Sequence, residues 1–516
     1  MFRSIRHIRR LLALGRLLAR HDALFALEMV GVSPVLLKCA AFGVHADSTG
    51  RPGERLARAL NEAGPSFIKL GQALSTRSDL LGEELTRDLS RLQDDLPPFP
   101  SDEAKRAIED ELGAPVDELF LEFDDTAIAA ASIAQVHFAV THDGRKVAVK
   151  VLRPDIEAAF QRDIDLFRWI AGIAEQTRPE LKRLKPLESI ETLADTVELE
   201  MDLRFEAAAA AELGENFAGD PDFKVPEVDW PLTARRVLTT ERLIDGIPLD
   251  DRDAIVAAGH DPVEILTKAA SASFRQVFRD GFFHADTHPG NLFMLPDGRI
   301  GVVDFGIMGR LDLKTRRKIA EMLVAFLNRD YRRAAEIHFE AGWVPRDRSV
   351  DSFTQACRSI AEPILDKPQN EISIARLLAQ LFQVTETFRM ETQPQLLLLQ
   401  KTMLVAEGTA RKLAPDANMW LLIRPLIEAW MIENLGPEAK VRDAIQNLQD
   451  TLERLPEMVE SVERGSKLLA DGNFKLHPDT IRALRGEDSR PRRQMTTVLW
   501  LLTLVFMILF VAVIAD

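Results

Sequence analysis

The chain of 516 residues holds only two cysteines, Cys39 and Cys357, far apart and in no metal-ligand spacing. That leaves no disulfide framework and fits a reducing compartment, so the working part of the molecule is expected to face the cytoplasm. No two of its 27 glycines are separated by a single residue. A Gly-x-Gly is therefore absent, which removes both a glycine-rich loop that cradles phosphate and a flavin fingerprint. Positive charge is also lacking. The formal net charge of −15 argues against a body that binds nucleic acid, whose phosphates would be repelled. What is present is 46% hydrophobic and 28% charged residues, enough for one large core with extensions.

The basic residues gather at the two ends. Met495 to Ala515 reads MTTVLWLLTLVFMILFVAVIA with no charge, and about 20 such residues cross a bilayer core as a helix. Residues 495–515 are thus expected to be a single transmembrane helix. Arg482, Arg485, Arg490, Arg492 and Arg493 precede it, so residues 481–494 form a basic juxtamembrane linker that stays cytoplasmic. The first 21 residues carry six arginines and no acid, with Phe2, Ile5, Ile8, Leu11, Leu12, Leu14 and Leu18 at helical spacing. This basic amphipathic helix fits a lipid surface, an organelle presequence or a domain helix with a solvated basic face; the lipid-facing reading is preferred.

Between the ends, residues 1–100 are expected to be a helical extension, closed by Leu96-Pro97-Pro98-Phe99-Pro100. Residues 101–245 hold a small sheet: Leu119–Phe123, Ile133–Thr141, Lys146–Leu152, Val225–Val228 and Arg236–Leu243 have strand composition. His142-Asp143-Gly144-Arg145 turns the hairpin, and a long helical insertion follows Pro154. Residues 246–480 are mostly helical, interrupted by the loop from Phe283 to Asn291 and a hairpin at Pro296-Asp297-Gly298. A strand-rich lobe followed by a helical lobe makes the class α+β, with the bilobal plan of a protein kinase.

Phosphoryl transfer asks a protein for positioning: a lysine on a strand, a base and two metal ligands must converge on one triphosphate. Val147-Ala148-Val149-Lys150 ends a strand in that lysine. His284-Ala285-Asp286 is followed five positions later by Asn291, the spacing of a catalytic loop whose aspartate takes a hydroxyl proton and whose asparagine binds magnesium. Asp304-Phe305-Gly306 comes 13 residues further on, and Asp304 would bridge metal and phosphate. His284 and His288 are not read as a metal pair, because Pro289 and Gly290 break the helix such a pair needs; His284 is expected to orient the loop.

With these residues in place the chain resembles the UbiB family of atypical kinases associated with ubiquinone biosynthesis. Lys69-Leu70-Gly71-Gln72 matches the family's Lys-x-Gly-Gln, and Glu200-Met201-Asp202 with Glu206 matches its Glu-x-Asp and following glutamate. Ala129-Ala130-Ala131-Ser132 stands where a kinase has its glycine loop and is similar to the family's alanine-rich loop. The resemblance implies that Lys69, Gln72, Glu200 and Asp202 gate the site, with the helix of Lys69 over its mouth. Lys69 would pair with Glu200 and Asp202, and Glu206 with Lys150. It implies ATP or ADP with Mg2+ as cofactors, membrane lipids and polyprenyl quinone precursors as partners, other ubiquinone-biosynthesis proteins beside them, and a bacterial inner membrane, ahead of a mitochondrial one, as location. Bacterial relatives often carry two spanning helices, whereas 21 apolar residues suffice here for one.

Alanine restricts the backbone freedom that lets glycine amides close on phosphate, so phosphorylation of proteins in trans is not expected. Two other readings compete with an atypical kinase or ATPase. A small-molecule kinase of the aminoglycoside or choline type shares His-x-Asp-x-His-Pro-x-Asn; a lipid-presenting scaffold would use nucleotide only to change shape. Polyprenylphenol hydroxylation, a name sometimes attached to the family, has no support without a flavin fingerprint.

Overall fold

The computed structural model describes residues 2–435 apart from 76–80, 90–91, 93–95, 178–185, 244, 366–379, 381–382, 386, 391–393 and 418. Residues 1–432 make one compact unit. Among the described residues no helix is long and apolar enough to cross a membrane. The basic linker 481–494, the span 495–515 and the end of the helical region at 480 lie outside the described residues.

Among the described residues the chain opens with the helices α1 (Phe2–Arg20), α2 (Phe25–Met29), α3 (Pro34–Ala41), α4 (Pro52–Ala63), α5 (Pro65–Ser75) and α6 (Glu83–Leu89). They bury their apolar faces against two helices of the insertion, α9 (Ile156–Thr177) and α10 (Pro186–Glu200), once α7 (Ser101–Leu112) and α8 (Val116–Leu119) have passed. Leu11 and Leu18 of α1, Leu56 and Leu60 of α4 and Phe67 of α5 share one core with Phe160, Ile164 and Phe167 of α9. Here the lipid-facing expectation for α1 is corrected. Leu11 and Leu18 are buried with Leu14 packed against their core, Arg10 pairs with Asp163 of α9, and Ile8, Arg9, Arg16 and Arg20 are exposed. Amphipathicity says that one face must be covered, not by what.

The first sheet holds β1 (Glu122–Phe123), β2 (Ala129–Ala130), β3 (Ala134–Val140), β4 (Lys146–Leu152) and, after β5 (Phe223–Lys224), β6 (Val237–Glu241). Its order is β1-β3-β4-β6, with β2 also on β3. Side chains alternate along a strand. Val147, Val149 and Val151 of β4 therefore enter the core formed with Ile108 and Phe120, which leaves Ala148 and Lys150 on the opposite face. The expected strand at Val225–Val228 is replaced: β5 ends at Lys224 and joins the second sheet, while Val228 makes only a lone bridge to Thr240. Pro226 has no N–H to give a ladder.

The helical insertion expected after Pro154 is not continuous through Glu200 and Glu206. Instead α10 stops at Glu200, and α11 (Leu203–Asn216) starts after Asp202, whose carboxylate caps it by accepting the Arg204 N–H at 3.1 Å. Past residue 241 the chain enters the second lobe, with β7 (Ile247–Pro248), α12 (Arg252–Ala257), α13 (Pro262–Phe274), β8 (Phe282–His284), β9 (Leu292–Met294), β10 (Ile300–Val302) and β11 (Met308–Arg310). The strands form a β5-β10-β9-β7 sheet and a β8–β11 pair. Helices α14 (Leu313–Leu327), α15 (Tyr331–Glu340), α16 (Val350–Ala361), α17 (Pro394–Leu413) and α18 (Met419–Leu435) complete the lobe.

The β8–β11 pair holds the catalytic-loop entrance to the exit of Asp304-Phe305-Gly306, and it is close-fitting. Gly309 lies opposite Phe283, and a Cβ there would collide with the Phe283 ring, which is 1% exposed. Gly309→Ala is expected to destabilise the fold by about 1–3 kcal/mol through overpacking, seen as a lower denaturant midpoint; an unchanged midpoint would contradict so tight a contact.

Candidate active site

Lys150 is placed by the ladder. It pairs with Val136 of β3 and Leu238 of β6, and Val136 pairs on its other side with Ala129. Ala129, Val136 and Lys150 thus form one row across three strands. The alanine loop beyond it is a hairpin tip closed by the Ala131 N–H donating to the Ala134 carbonyl at 2.8 Å, not the start of a helix. Ala129 is exposed and Ala130 and Ala131 are half-buried. Ser132, the last residue of this loop, is 0% exposed. Arg153 donates to the Ala131 carbonyl from both Nε (3.0 Å) and a terminal nitrogen (2.9 Å). It also reaches the Pro97 carbonyl at 2.9 Å and lies over the Phe99 ring. The tip is held down, and the Ser132 hydroxyl is enclosed with it.

The Lys150 ammonium meets both oxygens of Glu206 on α11, at 2.8 and 2.9 Å, and Asp304 Oδ1 at 3.2 Å. Glu206 is therefore the residue that grips the strand lysine. Burial works to lower the Lys150 pKa, but the charges of Asp304 and Glu206 outweigh it and keep the ammonium above its ordinary value. The Lys150 charge holds the Asp304 carboxyl well below the usual carboxylate range, against burial. For Glu206 burial wins over Lys150 and pushes the carboxyl up, helped by the nearby Asp304 charge. Three groups with one positive and two negative charges leave an excess of negative charge in the cleft.

Asp304 has φ +62, the left-handed region that aspartate enters more readily than bulky residues. This turn sends Phe305 into the core, 3% exposed, while Asp304 remains 49% exposed toward the cleft. The β9–β10 ladder ends with the Val303 N–H donating to the Asn291 carbonyl at 3.0 Å, so Asn291 stands beside Asp304. Asn291 in turn donates from Nδ2 to the Asp286 carbonyl at 3.0 Å, which leaves its amide oxygen as a ligand. Asn291 and Asp304 offer oxygen donors beside excess negative charge, a set that fits Mg2+.

His284 fastens the two loops. Its Nε2 lies 2.7 Å from the Asp304 carbonyl and 3.3 Å from that of Val303. A nitrogen facing two carbonyl oxygens must carry the proton, so Nδ1 is free to accept the Asp286 N–H at 3.2 Å. The His284 N–H itself donates to Gln276 Oε1 at 2.9 Å. Gln276 sits in a π-helical turn, Arg275–Asp280, that extends α13 and closes at Gly281 with φ +68.

In the gating set, Lys69 pairs with Glu200 at 2.9 Å, with 12% and 14% of their side chains exposed. Asp202 does not share this pair, which corrects the expectation. The break before α11 turns it to Arg204, at 2.8 and 2.6 Å. Gln72 lies on α5, three residues beyond Lys69, and is half-buried. One residue of the site had no signal in the sequence. Lys401 of α17 places Nζ 3.1 Å from Asp286 Oδ1, from 115 positions away and within no motif.

This arrangement of strand lysine, helix glutamate, His-x-Asp loop and left-handed aspartate is that of a protein-kinase-like fold. Residues 91–338 match the ABC1 atypical kinase-like domain and residues 357–418 the UbiB helical domain. Proteins named probable protein kinase UbiB are 44% identical over 414 residues in Marinobacter nauticus and 43% over 415 in Aeromonas salmonicida, each alignment spanning 80% of this chain and 76% of the relative. The chain belongs to the UbiB family. A Mycobacterium tuberculosis protein, Rv3197, solved in complex with erythromycin, is 27% identical with TM-score 0.50, covering 74% of this chain and 94% of its own.

Burial lowers the His284 pKa, whereas an unfolded histidine binds its proton near pH 6.5. Below that pH the unfolded state takes up more protons. The stability contributed by neutral His284 is whole above about pH 6.5 and is lost as pH falls from there toward the folded value. Denaturant midpoints between pH 5 and 8 should fall on the acid side less steeply for His284→Gln than for wild type; equal slopes would contradict this.

Proposed function

We infer that this chain is a membrane-anchored atypical kinase or ATPase that binds ATP, or ADP, with Mg2+ and acts on, or gives access to, polyprenyl precursors of ubiquinone. The observation that carries the reading is the cluster of Lys150, Glu206 and Asp304, with Asn291 alongside: one cation, and oxygen ligands with an excess of negative charge. Lys150 would meet the phosphates, Asn291 and Asp304 would hold the metal, and Asp286 would receive the proton of the attacking hydroxyl. Mg2+, when bound, neutralises charge on the phosphoryl oxygens.

Membership of the UbiB family supports ubiquinone biosynthesis as the setting. The uncharged stretch 495–515 behind its arginines supports an anchor in a bacterial inner membrane, with the lobes on the cytoplasmic side. A loop of alanines tied down by Arg153 favours a small or lipid substrate, or hydrolysis, over a protein acceptor. The erythromycin complex of the mycobacterial relative favours a second reading, action on a bulky soluble small molecule.

Asp304→Asn is expected to abolish Mg2+-dependent nucleotide binding and ATP hydrolysis of the purified full chain. Unchanged Mg2+-dependent affinity would sink the assignment of the site. Deleting the encoding gene, followed by quinone profiling of extracted lipids, is expected to show accumulated early polyprenyl precursors, restored to quinone by wild type but not by Asp304→Asn. A normal quinone pool would favour the small-molecule reading.

A further inference from the structure

We propose that Lys401, on α17, is the cation that meets the terminal phosphoryl group of the nucleotide, and that its ion pair with Asp286 is the position it leaves to do so. The inference rests on the nucleotide reading above and adds to it a residue contributed by the helical domain.

The geometry comes first. Lys401 Nζ stands 3.1 Å from Asp286 Oδ1, with 49% and 27% of the two side chains exposed. An open pair of this kind contributes little to stability, so holding the fold together does not account for it. It does place an ammonium against the one carboxylate that a phosphotransfer base would occupy.

The second observation is where the neighbouring described cations are held. Lys150, assigned above to the phosphates, is paired with two oxygens of Glu206 and one of Asp304 and makes no contact with Asp286. Arg153 is turned to the Ala131 and Pro97 carbonyls. The catalytic loop from His284 to Asn291 contains no lysine or arginine, and the alanine loop offers neither cation nor glycine. Among the described residues the cationic groups facing Asp286 are His288, with Nε2 3.8 Å from Oδ2, and Lys401, the nearer of the two and charged at every physiological pH.

The third is the seat of α17. Leu399 packs in the core that contains Phe283 and Trp430, and Ala410 and Leu413 pack in the core that contains Phe305. The helix is thus anchored to both loops of the site, and Lys401 projects from the segment between.

In the step this implies, the oxygen of water or of an alcohol forms a bond to the terminal phosphorus as its proton passes to Asp286. The bond from that phosphorus to the β,γ-bridging oxygen breaks, and the electron pair leaves with ADP. Lys401 exchanges no proton; its ammonium faces the non-bridging oxygens, where charge grows. Its departure from Asp286 also frees the carboxylate to accept. ADP lacks the γ-phosphoryl group that would draw it away, so with ADP the pair stays closed.

The test uses the full chain in detergent, with Lys401→Met and the charge-keeping Lys401→Arg. Affinities for Mg·AMP-PNP and Mg·ADP are measured by calorimetry and ATP turnover at saturation. Lys401→Met is expected to weaken AMP-PNP about tenfold, the scale of one charge-assisted hydrogen bond. ADP affinity should stay within about twofold, and turnover should drop by about 10²-fold. Lys401→Arg should recover most of the AMP-PNP affinity. Equal losses for both nucleotides, or none for AMP-PNP, would overturn the proposal. If the variant matches a wild type that binds and hydrolyses ATP, this inference alone falls; if wild type binds neither nucleotide, the reading of the site falls with it.

Discussion

The contact on which the site depends is the ion cluster of Lys150 with Glu206 and Asp304. A buried ammonium is costly unless paired, and the Lys150 side chain is 18% exposed. Its partners arrive from opposite sides: Glu206 from α11, which follows the helical insertion, and Asp304 from the end of the β9–β10 hairpin. Where Lys150 sits is decided by the register of β4 between β3 and β6. Two lobes and one insertion therefore have to agree before three charged atoms meet. The cluster also sets two carboxyl groups against one ammonium.

That cluster is tied to the N-terminal extension through six residues of chain. Glu200, the last residue of α10, receives Lys69 of α5, Asp202 caps α11, and Glu206 on the first turns of α11 grips Lys150. A shift of α5 would pull on the start of the helix that positions Lys150. Further along the same helix Glu212 pairs with Arg310 of β11, just past the strand exit from Asp304. One helix of 14 residues thus shares a core with Leu60 and Phe67 of the extension through Leu203 and Ala207, grips the strand lysine and reaches the segment after Asp304. The Lys-x-Gly-Gln motif has a second requirement at its glycine: a Cβ on Gly71 would press into the side chains of Leu60 and Leu92, so the motif's spacing serves packing as well as charge.

How much could be read in advance followed the range of each interaction. Lys150, Asp286, Asn291 and Asp304 were legible because each sits in a short local pattern whose strand or loop is set by its neighbours. Pairing of Glu206 with Lys150 was legible through the resemblance, although the break in the helical insertion at Met201–Asp202 was not: it has no proline or glycine to announce it, and it redirected Asp202 from Lys69 to Arg204. The leucine stripe of α1 was read correctly as a face needing cover, and as a face for lipid, whereas Leu11 and Leu18 are covered by Leu27 and Leu37 of the extension's own helices and by Phe160 and Ile164 of α9. Lys401 was invisible because its partner Asp286 lies far off in sequence and in no shared motif.

The alanine loop sharpens what such a site can do. In a glycine loop the backbone amides are free to fold onto phosphate; here the Ala131 N–H is committed to the Ala134 carbonyl and its carbonyl to Arg153. Arg153 is three residues beyond Lys150 and also holds the Pro97 carbonyl, at the end of the extension. The loop's position is therefore set by the same strand that positions the lysine and by the segment that carries Lys69's domain into the lobe. On the reading proposed above, a loop fixed in this way would add little to holding phosphate, and that work would pass to Lys150, Asn291, Asp304 and Asp286, which contacts with Glu206, Val303 and Lys401 hold in place.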